Sequence, residues 1–205
     1  MNDLLRKSTD PARGRTDDKL RLRPYVFRLP GGEAGMVRAI RPRDADRLQA
    51  YVRNLSASAR RNRFLGSLSE LAPTELSRLT HMDRPGELAL IAFARVGSEM
   101  PMVAETVQVI ASNGQHCEIA LSVMDAWQRK GLGTVLLWNL ECQARALGAS
   151  HLIGEVVRTN EAMKGLAHKA GFEIRSPFRD ARLVEIIKDL SIAQAQLPCG
   201  DQYWR

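Results

Sequence analysis

The stretch Gln128-Arg129-Lys130-Gly131-Leu132-Gly133-Thr134 restricts the fold more than any other part of the chain. Before it runs Cys117-Glu118-Ile119-Ala120-Leu121-Ser122-Val123-Met124, largely apolar with β-branched members, which predicts a buried strand over 115–124. After it, Leu132, Val135, Leu136, Leu140 and Leu147 recur at helical spacing and Gly148 stands where a helix stop belongs, which predicts a helix over 131–147. The stretch is therefore a strand-to-helix turn carrying two glycines and two cations. Glycine lets a ligand come close to the backbone. The first N–H groups of a helix have no internal partner and sit at the positive end of its dipole. Together with Arg129 and Lys130 they make a candidate phosphate site. The pattern is not a P-loop, since no Gly-Lys-Ser/Thr closes a longer glycine loop. It is not the dinucleotide fingerprint either, since the third glycine is missing and the strand lies deep in the chain.

The rest of the chain arranges itself around that turn. Residues 1–23 are polar, charged and aperiodic and read as a flexible basic tail. Tyr25-Val26-Phe27 adds a short strand before the Leu29-Pro30-Gly31-Gly32 turn, and Val37 to Ile40 is the first firm strand. Arg41-Pro42 ends it, and Asp44 is placed to cap a helix presenting Ala45, Leu48, Tyr51 and Val52 on one face. A short helix through Ala57–Phe64 follows, then a third opened by Pro73, with Leu76, Leu79 and Met82 as its stripe. Leu88–Ala94 is apolar on both faces and should be a central strand. Gly97-Ser98 turns the chain into a strand over Met102–Ile110. Asn113-Gly114 is a hairpin signal that makes the 115–124 strand antiparallel to its predecessor. Beyond the helix come a strand at Leu152–Val157, a helix at Glu161–Ala170, and strands at Phe172–Arg175 and Leu183–Leu190. The order β-α-α-α-β-β-β-α-β-α-β-β describes an α/β mixed sheet with helices on both faces, over a domain of residues 24–192. The tail 193–205 ends in Tyr203-Trp204-Arg205 and could dock on the domain or a partner.

Composition narrows the function classes. A chain of 205 residues is ample for one core. No apolar run reaches membrane-spanning length, and the N-terminus has no secretory apolar segment, so a cytoplasmic protein without membrane association is expected. Three widely spaced cysteines give neither a disulfide framework nor metal-ligand spacing, so reduced thiols and no metal are expected. The net charge is +7, and residues 28–63 hold nine arginines against three acids. That surplus lacks interleaved aromatics and any helix-turn-helix or zinc-finger signature, so a solvated arginine face is expected rather than nucleic-acid binding.

A family resemblance sharpens this. Gln-x-x-Gly-x-Gly after an apolar strand resembles the pyrophosphate loop of the GNAT superfamily of acyl-CoA-dependent N-acyltransferases. Asn160-Glu161-Ala162-Met163, with Leu166, Lys169, Gly171 and Phe172, is similar to that family's second signature segment. Ile40-Arg41-Pro42-Arg43-Asp44-Ala45-Asp46, with Leu55-Ser56, Arg63-Phe64 and Leu79-Thr80, resembles the branch holding the acetyltransferase domain of the bacterial Pat-type protein-lysine acetyltransferases. The resemblance spans about residues 35–190. It implies a GNAT fold, with a central, mostly antiparallel sheet and a parallel pair of strands that splay at the cofactor site. It further implies an acetyl-CoA-dependent N-acetyltransferase acting on a protein lysine, with acetyl-CoA as cosubstrate and a homodimer compatible with the family. A small-amine acetyltransferase and a non-catalytic acyl-CoA-binding module are the alternatives. The cyclic-nucleotide domain usual in that branch has no room here, and regulation of that kind is not expected.

By the same resemblance, Gln128, Arg129, Lys130, Gly131, Leu132, Gly133 and Thr134 hold the pyrophosphate. The backbone of Val123 and Met124 runs beside the pantetheine arm, and Asn160 hydrogen-bonds that arm. Glu118 is the candidate general base. Lying within an apolar strand, its carboxylate should be disfavoured and its pKa raised toward neutrality, which suits removal of a proton from an ammonium. Glu105 and Glu155, on flanking strands, are rivals for that role, while His81 and His168 read as ordinary surface or helix-face residues. The family's tyrosine before Lys-x-Gly-Phe is replaced by Ala167, so no general acid is assigned.

Overall fold

The computed structural model describes residues 24–82, 86–110, 114–176 and 180–191. Among them, β1 (Tyr25–Arg28) and β2 (Ala34–Ala39) form a hairpin, followed by a 3-10 turn at Pro42–Asp44. Three short helices come next: α1 (Ala45–Asn54), α2 (Ala57–Phe64) and α3 (Pro73–Thr80). Then come β3 (Glu87–Ala94), β4 (Met102–Ile110), β5 (His116–Val123), α4 (Leu132–Ala146), β6 (His151–Val157), α5 (Glu161–Lys169), β7 (Glu173–Arg175) and β8 (Leu183–Asp189). The strands make one sheet in the order β1-β2-β3-β4-β5-β6-β8-β7. Neighbours are antiparallel except β5 and β6. Fold class and element order agree with the sequence reading, and the boundaries move by three residues at most. Both tails, Asn113 and the Tyr203-Trp204-Arg205 end lie outside the described residues.

Strand alternation divides the core into two layers. From β3, Ala89, Ile91 and Phe93 point to one face and pack with Leu48, Tyr51, Val52 and Leu55 of the α1 segment and Leu79 of α3. Leu88, Leu90 and Ala92 point to the other and meet Leu132, Val135 and Leu136 of α4. Further along α4, Leu137, Leu140 and Ala144 join Cys117, Ile119, Leu152, Ile186 and Ala167 of α5. β3 is buried on both faces, as its apolar run predicts. Fully burying one of these leucines contributes about 2 kcal/mol. Gly148, at φ +83°, ends α4 in the left-handed conformation that its place in the sequence suggests.

Two sequence expectations need correction. Asp44 does not cap α1 through its side chain. Its carboxylate, fully buried, instead accepts two hydrogen bonds from Arg38 on β2, at 2.6 and 2.7 Å, and one from the Arg41 N–H at 2.9 Å. A cation across the turn outcompetes helix amides for a buried carboxylate, because charge-assisted bidentate pairing is stronger. The expectation of reduced thiols fails at Cys142, which is in a disulfide. Cys117 is a free, buried thiol, and burial, then the Glu118 charge, pushes its pKa up to about 12. The arginine surplus is also partly internal: Arg38 and Arg63 form buried pairs with Asp44 and Glu105, while Arg53 pairs with Glu70 at the surface.

The Arg38 guanidinium holds the Asp44 carboxyl below the usual range. A depressed folded-state pKa contributes stability that is fully present above the unfolded value of about 4 and is lost as pH falls through the folded value. Asp44→Ala should destabilise the protein by about 3 kcal/mol by leaving Arg38 buried without its partner. Urea unfolding between pH 3 and 7 checks both points: wild type should lose this component at the acid end, and Asp44→Asn should show no such loss.

Candidate functional site

The site begins where a ladder stops. β5 and β6 pair in parallel only through His116 with His151, Cys117 with Leu152 and Glu118 with Ile153. β5 continues to Val123 and β6 to Val157, so beyond Glu118 about 16 Å of the β5 edge runs without its parallel partner. On its other edge β5 stays bonded to β4, and the Met124 N–H continues that edge to the Val103 carbonyl at 2.9 Å. Gly154 follows the last paired residue of β6. A Cβ there would sit 3.2 Å from the Ile119 carbonyl oxygen, so a side chain would crowd the apex of the cleft. The splay implied by the resemblance is present.

Two helix N-termini flank the open end. After β5 the chain makes a 3-10 turn at Asp125–Trp127, and the Gln128 side chain donates back to the Val123 carbonyl at 3.0 Å, closing the turn on the strand. Arg129 and Gly131 both take positive φ, 61° and 93°, and Gly131 is the N-cap of α4. Only the conformational freedom of glycine makes the second of these inexpensive. Gln128, Arg129, Lys130 and Thr134 are exposed, whereas Leu132 buries its side chain in the core and offers only its backbone N–H. Gly133 lies so close to α5 that a Cβ would meet Leu166 at 3.0 Å, which packs the first signature segment against the second. At the head of α5, Asn160 accepts the Met163 N–H through Oδ1 at 3.1 Å. Its side-chain carbonyl therefore caps its own helix.

One neighbour of this loop was not foreseen. Lys130 pairs with Glu33 of the β1–β2 turn at 2.9 Å and lies 4.9 Å from the Trp127 ring centroid, and Pro30 packs within 3.5 Å of where a Gly131 Cβ would be. The Lys130 ammonium, by its hydrogen bond, holds the Glu33 carboxyl below its ordinary range. No local pattern signals a partner 97 residues away.

The face of the sheet opposite α4 carries the carboxylates. Glu118 is exposed, so the burial on which its expected perturbation rested is absent: odd residues of β5 face the α4 core, and on the other face burial falls from Ser122, which is buried, to Glu118 and His116, which are exposed. Glu87 and Glu118 flank Val109 in one row across β3, β4 and β5. On the same face, Glu155 of β6 is exposed and stands directly opposite Glu185 of β8. Glu105 differs. It is buried, its Oε1 accepts from Arg63 Nε (2.5 Å) and the Ser122 hydroxyl (2.7 Å), and its Oε2 accepts from Arg63 at 3.0 Å. With both oxygens engaged, it is not placed to receive a proton from an incoming amine. Ala167 is fully buried in the α4–α5 core and brings no hydroxyl to the cleft. Chemically, the arrangement offers an anion-binding helix end, an open strand edge for an extended ligand, and one exposed carboxylate at the apex.

Gly131→Ala should lower stability by about 1–2 kcal/mol because alanine is strained at this φ. It should also weaken binding of inorganic pyrophosphate several-fold. Urea unfolding and a pyrophosphate titration followed by tryptophan fluorescence measure the two effects.

Comparison with known proteins agrees with this fold. An acetyltransferase of Pseudomonas aeruginosa is 28% identical over 148 residues, covering 72% of this chain and 80% of that protein. Among solved structures, the GNAT domain of S. lividans PAT superposes with a TM-score of 0.73 at 26% identity, over 81% of this chain and 96% of that one. A Salmonella typhimurium protein solved with its cofactor acetyl-CoA shares the fold, with a TM-score of 0.59 at 19% identity, over 81% of this chain and 99% of that one. The sequence profile of the Acetyltransferase (GNAT) family matches residues 51–172, more than half of the chain, and the chain belongs to that family.

Proposed function

We propose that this acyltransferase is an acetyl-CoA-dependent N-acetyltransferase whose acceptor is a lysine side chain of a protein and whose general base is Glu118. The observation that carries the reading is the end of the β5–β6 ladder at Glu118 and Ile153. It puts one exposed carboxylate at the apex of a cleft whose mouth is lined by the N-termini of α4 and α5. When bound there, acetyl-CoA supplies an activated thioester. The backbone from Gln128 to Thr134 would hold its pyrophosphate, with Arg129 and Lys130 adding charge. The backbone of Val123 and Met124, at the end of the open β5 edge, would run alongside its pantetheine arm, and the amide of Asn160 would hydrogen-bond that arm. The amine attacks the carbonyl carbon, the new N–C bond replaces the C–S bond, and Glu118 takes the ammonium proton directly or through a water. The sulfur departs as thiolate, which is tolerable without an acid because a thiol's pKa is about 8.5.

The carboxylates on the acceptor face bear on the substrate. Glu87, Glu118, Glu155 and Glu185 suit a cationic acceptor despite the net charge of the whole chain. The same feature favours a second reading, a small polycationic amine, more than the sequence alone suggested. Nucleic acid as a partner gains no support from this face.

Thiol release from acetyl-CoA, measured with a capped Gly-Lys-Gly peptide, spermidine and cell-extract proteins, tests the proposal. Wild type should turn over, and Glu118→Gln should lose about 10²–10³-fold in kcat/KM with CoA binding intact. Turnover of spermidine alone would select the second reading. Tight CoA binding without turnover on any amine would leave only a binding module. Full activity in Glu118→Gln would remove Glu118 as base and leave Glu155, across the splay, as the next candidate.

A further inference from the structure

Helix α2 has an unusual basis for its position. It lies against β5, yet none of its residues is fully buried, and only Ala59 and Phe64 touch the core in part. An eight-residue helix without a buried apolar face is not held by the hydrophobic effect. Polar ties take its place. At its N-terminus Ser56 caps the helix by accepting the Ala59 N–H, and donates its own hydroxyl and N–H to Asp125, at 2.9 and 3.3 Å. Midway, Arg60 donates to the carbonyls of Val52, Arg53, Leu55 and Leu68. At its C-terminal end Arg63 makes the bidentate pair with Glu105, both side chains being almost wholly buried.

The far side of that pair reaches the strand that carries the site. Ser122 donates to Glu105 and bonds to the Tyr51 hydroxyl at 2.9 Å, so Tyr51, Ser122, Glu105 and Arg63 form one buried chain joining α1, β5, β4 and α2. Ser122 lies on the same face of β5 as Glu118, four residues along, and next to Val123 on the open edge. Burial and the Glu105 charge push the Tyr51 hydroxyl pKa up, so it remains a neutral member of the chain.

We infer that Glu105 is a positioning residue: through Arg63 it fixes α2 as the wall of the acceptor side, and through Ser122 it fixes β5 against that wall. This rests on the reading that the acceptor reaches Glu118 across this face. Breaking the pair should therefore loosen α2 and weaken the acceptor's hold while leaving the cofactor's alone. A salt bridge that only stabilised the fold would lower stability without that selectivity.

The test uses the full chain and three variants: Glu105→Gln, Arg63→Lys, and the double variant Glu105→Leu/Arg63→Met. The double variant guards against misfolding, because replacing both members of a buried pair by apolar groups commonly preserves stability. Two readouts are taken: amide hydrogen exchange of residues 57–64, and steady-state kinetics with the Gly-Lys-Gly peptide and with spermidine, alongside CoA titration. The expected result is faster exchange across α2 in Glu105→Gln and the double variant with sheet protection unchanged. Acceptor KM should rise about tenfold and CoA Kd should change less than about twofold. Arg63→Lys, which keeps the charge, should fall between these variants and wild type. Unchanged α2 exchange, or unchanged acceptor KM in an enzyme whose wild type turns over, would overturn the inference. So would a fall in kcat alone, which would place Glu105 in the chemistry. Absence of wild-type turnover on both amines is a distinct outcome: it overturns the acceptor role together with the proposed function, and the exchange readout then reports on the clamp alone.

Discussion

Two parallel strands that part after three residue pairs govern the rest of the structure. Backbone N–H and C=O groups are obligatory hydrogen-bonding groups, and a strand edge in the middle of a sheet is not normally left open. Here β4 and β8 keep the outer edges of β5 and β6 paired, so the sheet survives the gap between them. The gap is then framed by whatever follows the strands. Both are followed by helices, and both helices begin at the gap, which brings two sets of unpaired N–H groups to one opening. The contact between Gly133 and Leu166 keeps these helix ends together, so the opening does not widen along its whole length.

The two faces of the sheet divide the work by polarity. On the α4 side the helix is held mainly by buried leucine and valine, with Thr106, Gln108, Asn139, Gln143 and Lys188 buried among them. On the α1–α3 side the apolar layer extends only over β3 and β4, and charged groups take over toward β5, β6 and β8. Some of these charges are internal ties: Arg38 with Asp44, and Arg63 with Glu105. Others face water, and an amine can reach them. A chain that is basic overall thus presents carboxylates where its chemistry would take place, which net charge by itself does not reveal.

Much of this was legible in the sequence, for physical reasons. Gly131 marks the strand-to-helix turn because glycine readily takes the positive φ found there, and the spacing of Leu132, Val135, Leu136 and Leu140 fixes which side of α4 is buried. The resemblance gives Asn160 only a ligand role, and its capping of α5 through the Met163 N–H is a local feature that its place before Glu161 could have signalled. What stayed hidden depends on partners distant in the chain. Arg63 and Glu105 are 42 residues apart, and nothing local pairs them. Asp44 looks like a cap until Arg38 is placed beside it. Glu118 was within reach: Cys117, Ile119, Leu121 and Val123 alternate with Glu118, Ala120 and Ser122, the period-2 pattern of a half-exposed strand rather than one buried on both faces.

The pairing of Lys130 with Glu33 has one further implication. The carboxylate is an anion already seated beside the loop that would receive anions, an intramolecular mimic of the incoming phosphate. A phosphate drawing on Lys130 would compete with it for the same charge, so affinity at the loop would reflect two anions' claims on one ammonium. Such competition would lower apparent affinity while favouring release, because the resident carboxylate could return to Lys130 as a ligand left.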